Sequence, residues 1–454
     1  MMLPLPLKGQ LTKTYQEEKT SMRFKKTPPF IYMPVLLLAF ILTVPSSLLG
    51  QPYSTGHFQH TFIDPERDDR PILTEVYYPI NGNDDKQIAE GSFPLLVFGH
   101  GFVMTWSAYE NLWAHFVPHG YIMAFPRTES GFSPSHIDFG RDIAFLTGAI
   151  QALHEDPASV LFGGLNGRSA VMGHSMGGGA SVLATALNEN IDALLALAPA
   201  ETSPSAIAAA ENIGIPSLIF AGSSDDVTPE ETHQLPIYEA LVSDSKTYVR
   251  ILGGGHCYFA NYNFNCSFGE AGSSGNITVT REEQQETTED FATPWLDYFL
   301  KDDCDEWLRL QDSLATSPRI ESIHQSIISD PQITTEEEML VSTPANTYQW
   351  LLNGEPVEEA VNQSFYPILC GHYQVKVTYH NLCAYVSEPT FFYRPGDANT
   401  DGIVDVLDVL TSMEYFLYGE ADPFCFENAD VDQNGIIDVL DMIAIVNIYM
   451  ERGQ

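Results

Sequence analysis

One serine of this chain stands in a setting suited to nucleophilic attack. Ser175 is the centre of Gly173-His174-Ser175-Met176-Gly177, a G-x-S-x-G string extended by Gly178 and Gly179. Residues 169–172 before it read as a strand, and the small residues after it as a helix. In such a strand-to-helix turn the serine backbone is strained and its hydroxyl exposed. The flanking glycines are required because a side chain would collide with neighbouring backbone. The helix N-terminus adds partial positive charge. The expected chemistry is attack on a carbonyl carbon.

A serine hydroxyl needs a base, and the base needs an orienting acid. In an open α/β sheet these follow in the order Ser, acid, His, each past the C-terminal end of a strand. Strand 217–221 is followed by Gly222-Ser223-Ser224-Asp225-Asp226-Val227-Thr228-Pro229, and strand 247–251 by Gly253-Gly254-Gly255-His256. His256 is the expected base. Asp225 and Asp226 compete as the acid, and spacing alone leaves both open. Stabilising the developing oxyanion takes two backbone N–H groups. One is expected from Met176 and the other from Phe102, in His100-Gly101-Phe102 after strand 95–99, with His100 bracing that loop. The Phe102 ring, and with it Trp106, is expected to line the substrate cleft. No metal or other cofactor is needed for this chemistry, and the other histidines lack zinc-ligand spacing.

Elements that could position these residues alternate between residues 52 and 300. Apolar strands are expected at 73–78, 95–99, 122–125, 169–173, 193–198, 217–221 and 247–251. Helices are expected at 107–119, 138–155, 177–187, 237–241 and 282–300, the last opened by a Thr280/Glu283 capping box. The fold class is α/β, a mainly parallel sheet of the α/β-hydrolase type. Residues 334–394 then turn to short aromatic and β-branched strands with Asn353-Gly354 as a hairpin turn, which implies a small immunoglobulin-like β-sandwich.

Residues 93–260 resemble the polyester hydrolase and cutinase branch of bacterial α/β-hydrolases, related to dienelactone hydrolases. The likeness rests on residues 93–102 (Phe-Pro-Leu-Leu-Val-Phe-Gly-His-Gly-Phe), residues 173–178, Asp225-Asp226-Val227-Thr228-Pro229, Leu235-Pro236-Ile237-Tyr238 and Gly254-Gly255-His256. The resemblance implies that the acid is Asp225, which opens the family's Asp-x-(Ile/Val)-x-Pro string. It also implies that the oxyanion residues are Phe102 and Met176. One departure stands out: the tryptophan that such enzymes carry after the next strand is missing from residues 198–203. The activity implied is secreted serine carboxylic ester hydrolysis. Alternatives are an esterase of plant-polysaccharide acetyl or feruloyl side chains and a lipid or chlorophyll-type esterase. The non-enzymatic alternative is a scaffold-docked binding protein.

The C-terminal segment repeats itself. Asp397, Asn399, Asp401, Asp405 and Asp408 take positions 1, 3, 5, 9 and 12 of a loop with Gly402 at position 6 and Ile403 offering a carbonyl at position 7. Asp430, Asp432, Asn434, Ile436, Asp438 and Asp441 repeat the pattern around Gly435. This is calcium-loop spacing, with hard oxygen donors throughout, and predicts two calcium ions. The pair resembles a dockerin module, which implies a cohesin-type partner on a scaffold.

The chain has 454 residues and a formal charge of −39. Such a balance excludes nucleic acid as a partner, because phosphate binding needs a basic surface. Lys25 and Lys26, the apolar run 30–44 and the small residues Ser46, Ser47 and Gly50 read as a secretory signal, with Met22 an alternative start. The run is short for a membrane span, so no stable membrane insertion is expected after cleavage. The expected location is extracellular, free or attached to a cell surface or scaffold. Six cysteines fit an oxidising compartment. Cys257–Cys266 and Cys370–Cys383 are the expected bridges, with Cys304 and Cys425 unassigned. The expected organisation is a leader at 1–50, a catalytic domain at 51–315, a linker at 316–333, the sandwich at 334–394 and the calcium repeat at 395–454.

Overall fold

The computed structural model describes residues 53–82, 87–271, 276–326, 328–336, 338–379 and 383–452. The expected leader, with Met22, lies outside the described residues. The chain builds a nine-stranded sheet from β1 (Ser54–Asp64), β2 (Arg70–Ile80), β3 (Phe93–Gly99), β4 (Ile122–Pro126), β5 (Leu165–His174), β6 (Ala193–Leu197), β7 (Ser217–Gly222), β8 (Ser245–Ile251) and β9 (Ile320–Ser326), in the order β1-β2-β4-β3-β5-β6-β7-β8-β9. Pairing is parallel from β4 through β3 to β8 and antiparallel at both margins. Residues of β3, β4, β6 and β7 are buried without alternation, as expected for parallel strands covered on both faces.

The covering helices are α1 (Glu110–Phe116), α2 (His136–Gln151), α3 (Met176–Leu187), α4 (Ala206–Ala210), α5 (Gln234–Ala240), α6 (Phe264–Ala271), α7 (Arg281–Lys301) and α8 (Cys304–Thr316). One face of the sheet packs Phe139, Ile143, Val182 and Ile237. The other packs Tyr109, Phe291, Trp295 and Trp307. The capping box opens α7 as expected, with Thr280 and Glu283 exchanging side-chain and backbone hydrogen bonds.

Residues 316–333, expected as a linker, instead contribute β9, which pairs with β8 from Ile320–Ile251 to Ser326–Ser245. Only Ile320 is buried in this strand, so a mostly polar edge strand gives no apolar run to read. The long edge strand β1 escaped for the same reason.

Beyond it lie antiparallel sheets. One holds β10 (Ile333–Glu336), β11 (Met339–Ser342) and β14 (Ser364–Phe365). The other holds β12 (Thr347–Leu352), β13 (Glu355–Pro356), β15 (Gly371–Thr378), β16 (Ala384–Val386) and β17 (Thr390–Phe392). The Asn353-Gly354 turn joins β12 to β13, with φ of 52° and 86° at its two residues. The C-terminal segment is helical: α9 (Val406–Tyr418), α10 (Phe426–Ala429) and α11 (Val439–Arg452) gather around Ala398, Ala429 and Ile437. No helix among the described residues is long and apolar enough to cross a membrane.

Cys257–Cys266 is bridged. The expected Cys370–Cys383 pair is not: Cys370 is bonded to Cys425, and Cys383 to Cys304. Cys370 immediately precedes β15, whereas Cys383 immediately precedes β16, which pairs with the far end of β15. An eight-residue strand at about 3.3 Å per residue keeps them too far apart.

Candidate active site

Ser175 caps the N-terminus of α3 with φ 58° and ψ −120°, a backbone conformation that costs a non-glycine residue energy and marks functional turns. The surrounding glycines make that turn possible. A Cβ on Gly173 would lie 2.2 Å from the Gly177 carbonyl oxygen, and one on Gly177 would lie 2.1 Å from the Gly99 oxygen. Strands β3 and β5 and helix α3 therefore meet backbone to backbone beneath the serine.

His256 and Asp225 arrive from the loops after β8 and β7. The Ser175 Oγ lies 2.9 Å from His256 Nε2, and His256 Nδ1 lies 2.7 Å from Asp225 Oδ2. The Asp225 carboxylate has all its acceptor positions occupied. Its Oδ1 accepts the N–H groups of Val227 and Thr228, both at 2.9 Å, and its Oδ2 also accepts the Thr228 hydroxyl at 3.0 Å. Burial alone would raise this carboxyl's pKa. The adjacent His256, in charge and hydrogen bond, and the Thr228 donors outweigh it and hold the group below the usual carboxylate range. Asp226, its competitor, is exposed.

Several residues that the sequence did not single out hold this constellation. The Gln284 amide grips Gly255 at both ends, accepting its N–H and donating to its carbonyl at 2.8 Å each. The Arg281 guanidinium donates to the carbonyls of Cys257 and Ala260. His174 is fully buried, and desolvation first and His256 second push its pKa down to about 3, so its ring is neutral. Its Nε2–H donates to the His256 carbonyl at 2.9 Å, which leaves Nδ1 to accept the Tyr109 hydroxyl at 2.9 Å. The Tyr109 oxygen in turn accepts the Gly101 N–H at 2.8 Å. A buried relay thus ties the loop of Phe102 to the loop of His256. His174 sits inside the G-x-S-x-G string, but Tyr109 carries no motif.

Phe102 follows Gly101 with its ring half exposed, and Met176 is the buried first residue of α3, where helix N–H groups lack intrahelical partners. His100 lies between the carbonyls of Gly101 and Thr128. Trp106 is half-buried: its Nε1–H donates to the Tyr77 hydroxyl at 3.2 Å and the Arg127 guanidinium lies 4.1 Å above its ring. It lines a small cavity with His100, Thr105, Arg127 and Ser130.

The C-terminal carboxylates form two matching loops. Asp408 accepts the N–H groups of Asn399 and Asp405, and Asp441 those of Asp432 and Asp438. Asp397 and Asp430 accept the N–H groups of Gly402 and Gly435. Asp401 and Asn434 accept those of Ile403 and Ile436. Oxygen atoms of Asp430, Asp432 and Asp441 lie within 4.8 Å of one another, and the buried Asp397 Oδ1 has no protein partner. The gathered carboxylates of the second loop and the orphaned buried oxygen of the first each fit a hard cation.

Residues 74–273 match the PET hydrolase-like family and residues 395–450 the dockerin type I domain. A bis(hydroxyethyl) terephthalate hydrolase of Streptomyces coelicolor is 23% identical over 267 residues, covering 58% of this chain and 68% of that protein. Cutinase 2 of Thermobifida cellulosilytica is 24% identical over 183 residues, 40% of this chain and 64% of that protein. Cutinase 1 of the same organism is 33% identical over a 90-residue stretch, 20% of this chain and 33% of that protein. The chain thus spans from a third to just under two thirds of the length of these two cutinases. With a mainly parallel sheet under a strained serine at one end and paired acidic loops at the other, the chain carries a PET hydrolase-like domain of the cutinase type at residues 74–273 and a dockerin type I domain at residues 395–450.

Proposed function

We propose that the protein is an extracellular serine carboxylic ester hydrolase of the polyester hydrolase type, carried to a scaffold by its C-terminal module. The observation that carries the reading is the unbroken line from Ser175 Oγ through the His256 ring to the fully bonded Asp225 carboxylate. His256 Nε2 takes the Ser175 proton as Oγ attacks the ester carbonyl carbon. Asp225, kept ionised, stabilises the imidazolium. The N–H groups of Phe102 and Met176 receive the oxyanion. Collapse of the tetrahedral intermediate expels the alcohol, which takes the proton from His256 and leaves an acyl group on Ser175. Water activated by His256 then releases the acid. The Phe102 ring contacts the acyl group, while Trp106 shapes the wall behind His100.

The loops at 397–408 and 430–441 would hold calcium, two ions in all, through Asp397, Asn399, Asp401, Ile403, Asp405 and Asp408 and through Asp430, Asp432, Asn434, Ile436, Asp438 and Asp441. The ion would supply folding energy to the module and no catalytic step. Exposed Leu407, Leu410 and Leu417 on α9 and Leu440, Ile443 and Tyr449 on α11 support a cohesin-type partner. That module also favours a second reading, an esterase of polysaccharide side chains. Ester hydrolysis of p-nitrophenyl butyrate by the full chain and by Ser175→Ala tests the mechanism. Retained turnover in the variant would refute it. A panel of acetylated xylan, cutin and aromatic polyester decides between the two substrates.

A further inference from the structure

We infer that Arg394 is a positioning residue of the first calcium loop, so that the antiparallel sheets preceding the C-terminal module form part of that site. The inference rests on the calcium reading of the loop at 397–408.

Arg394 stands between the two regions, two residues after β17 and three before Asp397. It is only 2% exposed. The sheets hold its side chain from one side. Nη2 donates to the Pro367 carbonyl at 3.1 Å and lies 3.6 Å from the Glu338 carboxylate. The guanidinium carbon sits 5.0 Å from the centre of the Tyr366 ring and 6.0 Å from that of Phe392. The Tyr366 hydroxyl donates to the same Glu338 oxygen at 2.6 Å. On the other side, Nη1 donates to Asp397 Oδ2 at 3.4 Å. It also packs on the loop itself, since a Cβ on Gly402 would lie 3.3 Å from it. The main chain is clamped separately: the Arg394 N–H donates to Asn428 Oδ1, and Asn428 Nδ2 to the Asp397 carbonyl, both at 2.6 Å. Backbone shape at 394–397 is thus held without the guanidinium.

Burying a guanidinium is costly, and here its Nε has no protein partner. What the charge does is divide the Asp397 carboxylate. Oδ2 is taken by the Gly402 N–H and by Arg394, whereas Oδ1 has no protein partner. Fixing one oxygen of a carboxylate ligand keeps the other aimed at the ion, and such outer partners govern metal affinity by about 10–100-fold. Repulsion between the guanidinium and a cation is outweighed, because four aspartates of the loop and Glu338 oppose one arginine.

The second loop lacks this device. Asp430 accepts the Asn434 N–H on Oδ1 and the Gly435 N–H on Oδ2, and no basic side chain pairs with it among the described residues. Three residues before it, where the repeat would place the arginine, stands the exposed Glu427. Only the first site is therefore joined to the sheets.

Calcium titration of the chelator-treated full chain, read by calorimetry, tests this. The intact chain should take up two ions. Arg394→Ala should weaken one binding event by about tenfold or more and leave the other within about twofold. Arg394→Gln, milder for the fold, should weaken the same event. Hydrogen exchange supplies a readout that a merely structural arginine would not move. Because binding linkage is reciprocal, calcium should slow exchange at residues 364–369 in the intact chain but not in Arg394→Gln. Equal weakening of both events, unchanged or tighter binding, or exchange at 364–369 that ignores calcium in the intact chain overturns the proposal. An intact chain that takes up no calcium refutes the calcium reading itself, and the inference with it.

Discussion

Asp225 and Asp397 are both buried aspartates at the start of a loop, yet their surroundings are opposite. Every acceptor position of Asp225 is filled by a donor of the protein itself, so its charge is stabilised before any ligand arrives. Asp397 accepts the Gly402 N–H at 3.1 Å and faces Arg394 at 3.4 Å through Oδ2, while its Oδ1 is left without a partner. The first arrangement is complete and rigid, as a site that must not reorganise during reaction requires. The second is incomplete without a cation. Under the proposed function, catalysis and docking place different demands on one residue type.

The contrast breaks most visibly at the proposed triad. Ser175→Ala should lower kcat/KM for p-nitrophenyl butyrate by about 10⁴-fold or more, and Asp225→Asn should come close to that loss, since both act as one unit. Asp226→Asn should change little. Equal losses for Asp225→Asn and Asp226→Asn would reverse the assignment of the acid.

Chelation probes the other side. In the full chain, EDTA should expose residues 395–450 to limited proteolysis and remove part of the helical signal, while ester turnover persists. Calorimetry that finds no calcium uptake would remove the need for a cation at Asp397.

A smaller effect concerns protons. The buried neutral His174 has a folded pKa of about 3, below its unfolded value of roughly 6.5. The unfolded chain therefore binds the extra proton first as the medium acidifies. Stability contributed by the neutral ring is present above about pH 6.5 and is lost between there and about pH 3, by about 1 kcal/mol per pH unit. Thermal unfolding of the hydrolase part should follow that slope, and His174→Gln should flatten it.

Tyr109→Phe sharpens the same point. It strands the Gly101 N–H and His174 Nδ1 in a buried site, a destabilisation of about 1–3 kcal/mol. Because the hydroxyl joins the two loops that must face one tetrahedral centre, kcat should fall while KM stays nearly constant. A change confined to the melting temperature would reduce Tyr109 to a core residue.

What was legible in the sequence was local. A strained serine turn, a glycine run before His256 and twelve-residue loops are written in contiguous residues, because each depends on backbone that must bend within a few positions. Choosing Asp225 over Asp226 from the sequence took family resemblance, since adjacent residues differ only in which of them is turned toward a histidine thirty positions away. The Tyr109–His174 relay and the Gln284 grip on Gly255 join residues distant in sequence through single hydrogen bonds, which leave no periodicity. Strand β9 was missed because a polar edge strand shares its composition with a linker. The disulfide partners of Cys370 and Cys383 depend on which end of β15 each occupies, and only pairing geometry reveals that.

Those two bridges also determine how the chain responds to pulling. If a scaffold grips the C-terminal helices while a substrate surface drags on the hydrolase domain, force enters near Cys425 and leaves near Cys304. Without cross-links, the 121 residue-to-residue steps from 304 to 425 could unravel to about 420 Å. With Cys304 joined to Cys383 and Cys370 to Cys425, the load needs to pass through only the 13 residue-to-residue steps from 370 to 383, about 45 Å when fully stretched. The hydrolase-like domain is held on a short leash that stays short even if the intervening sheets give way.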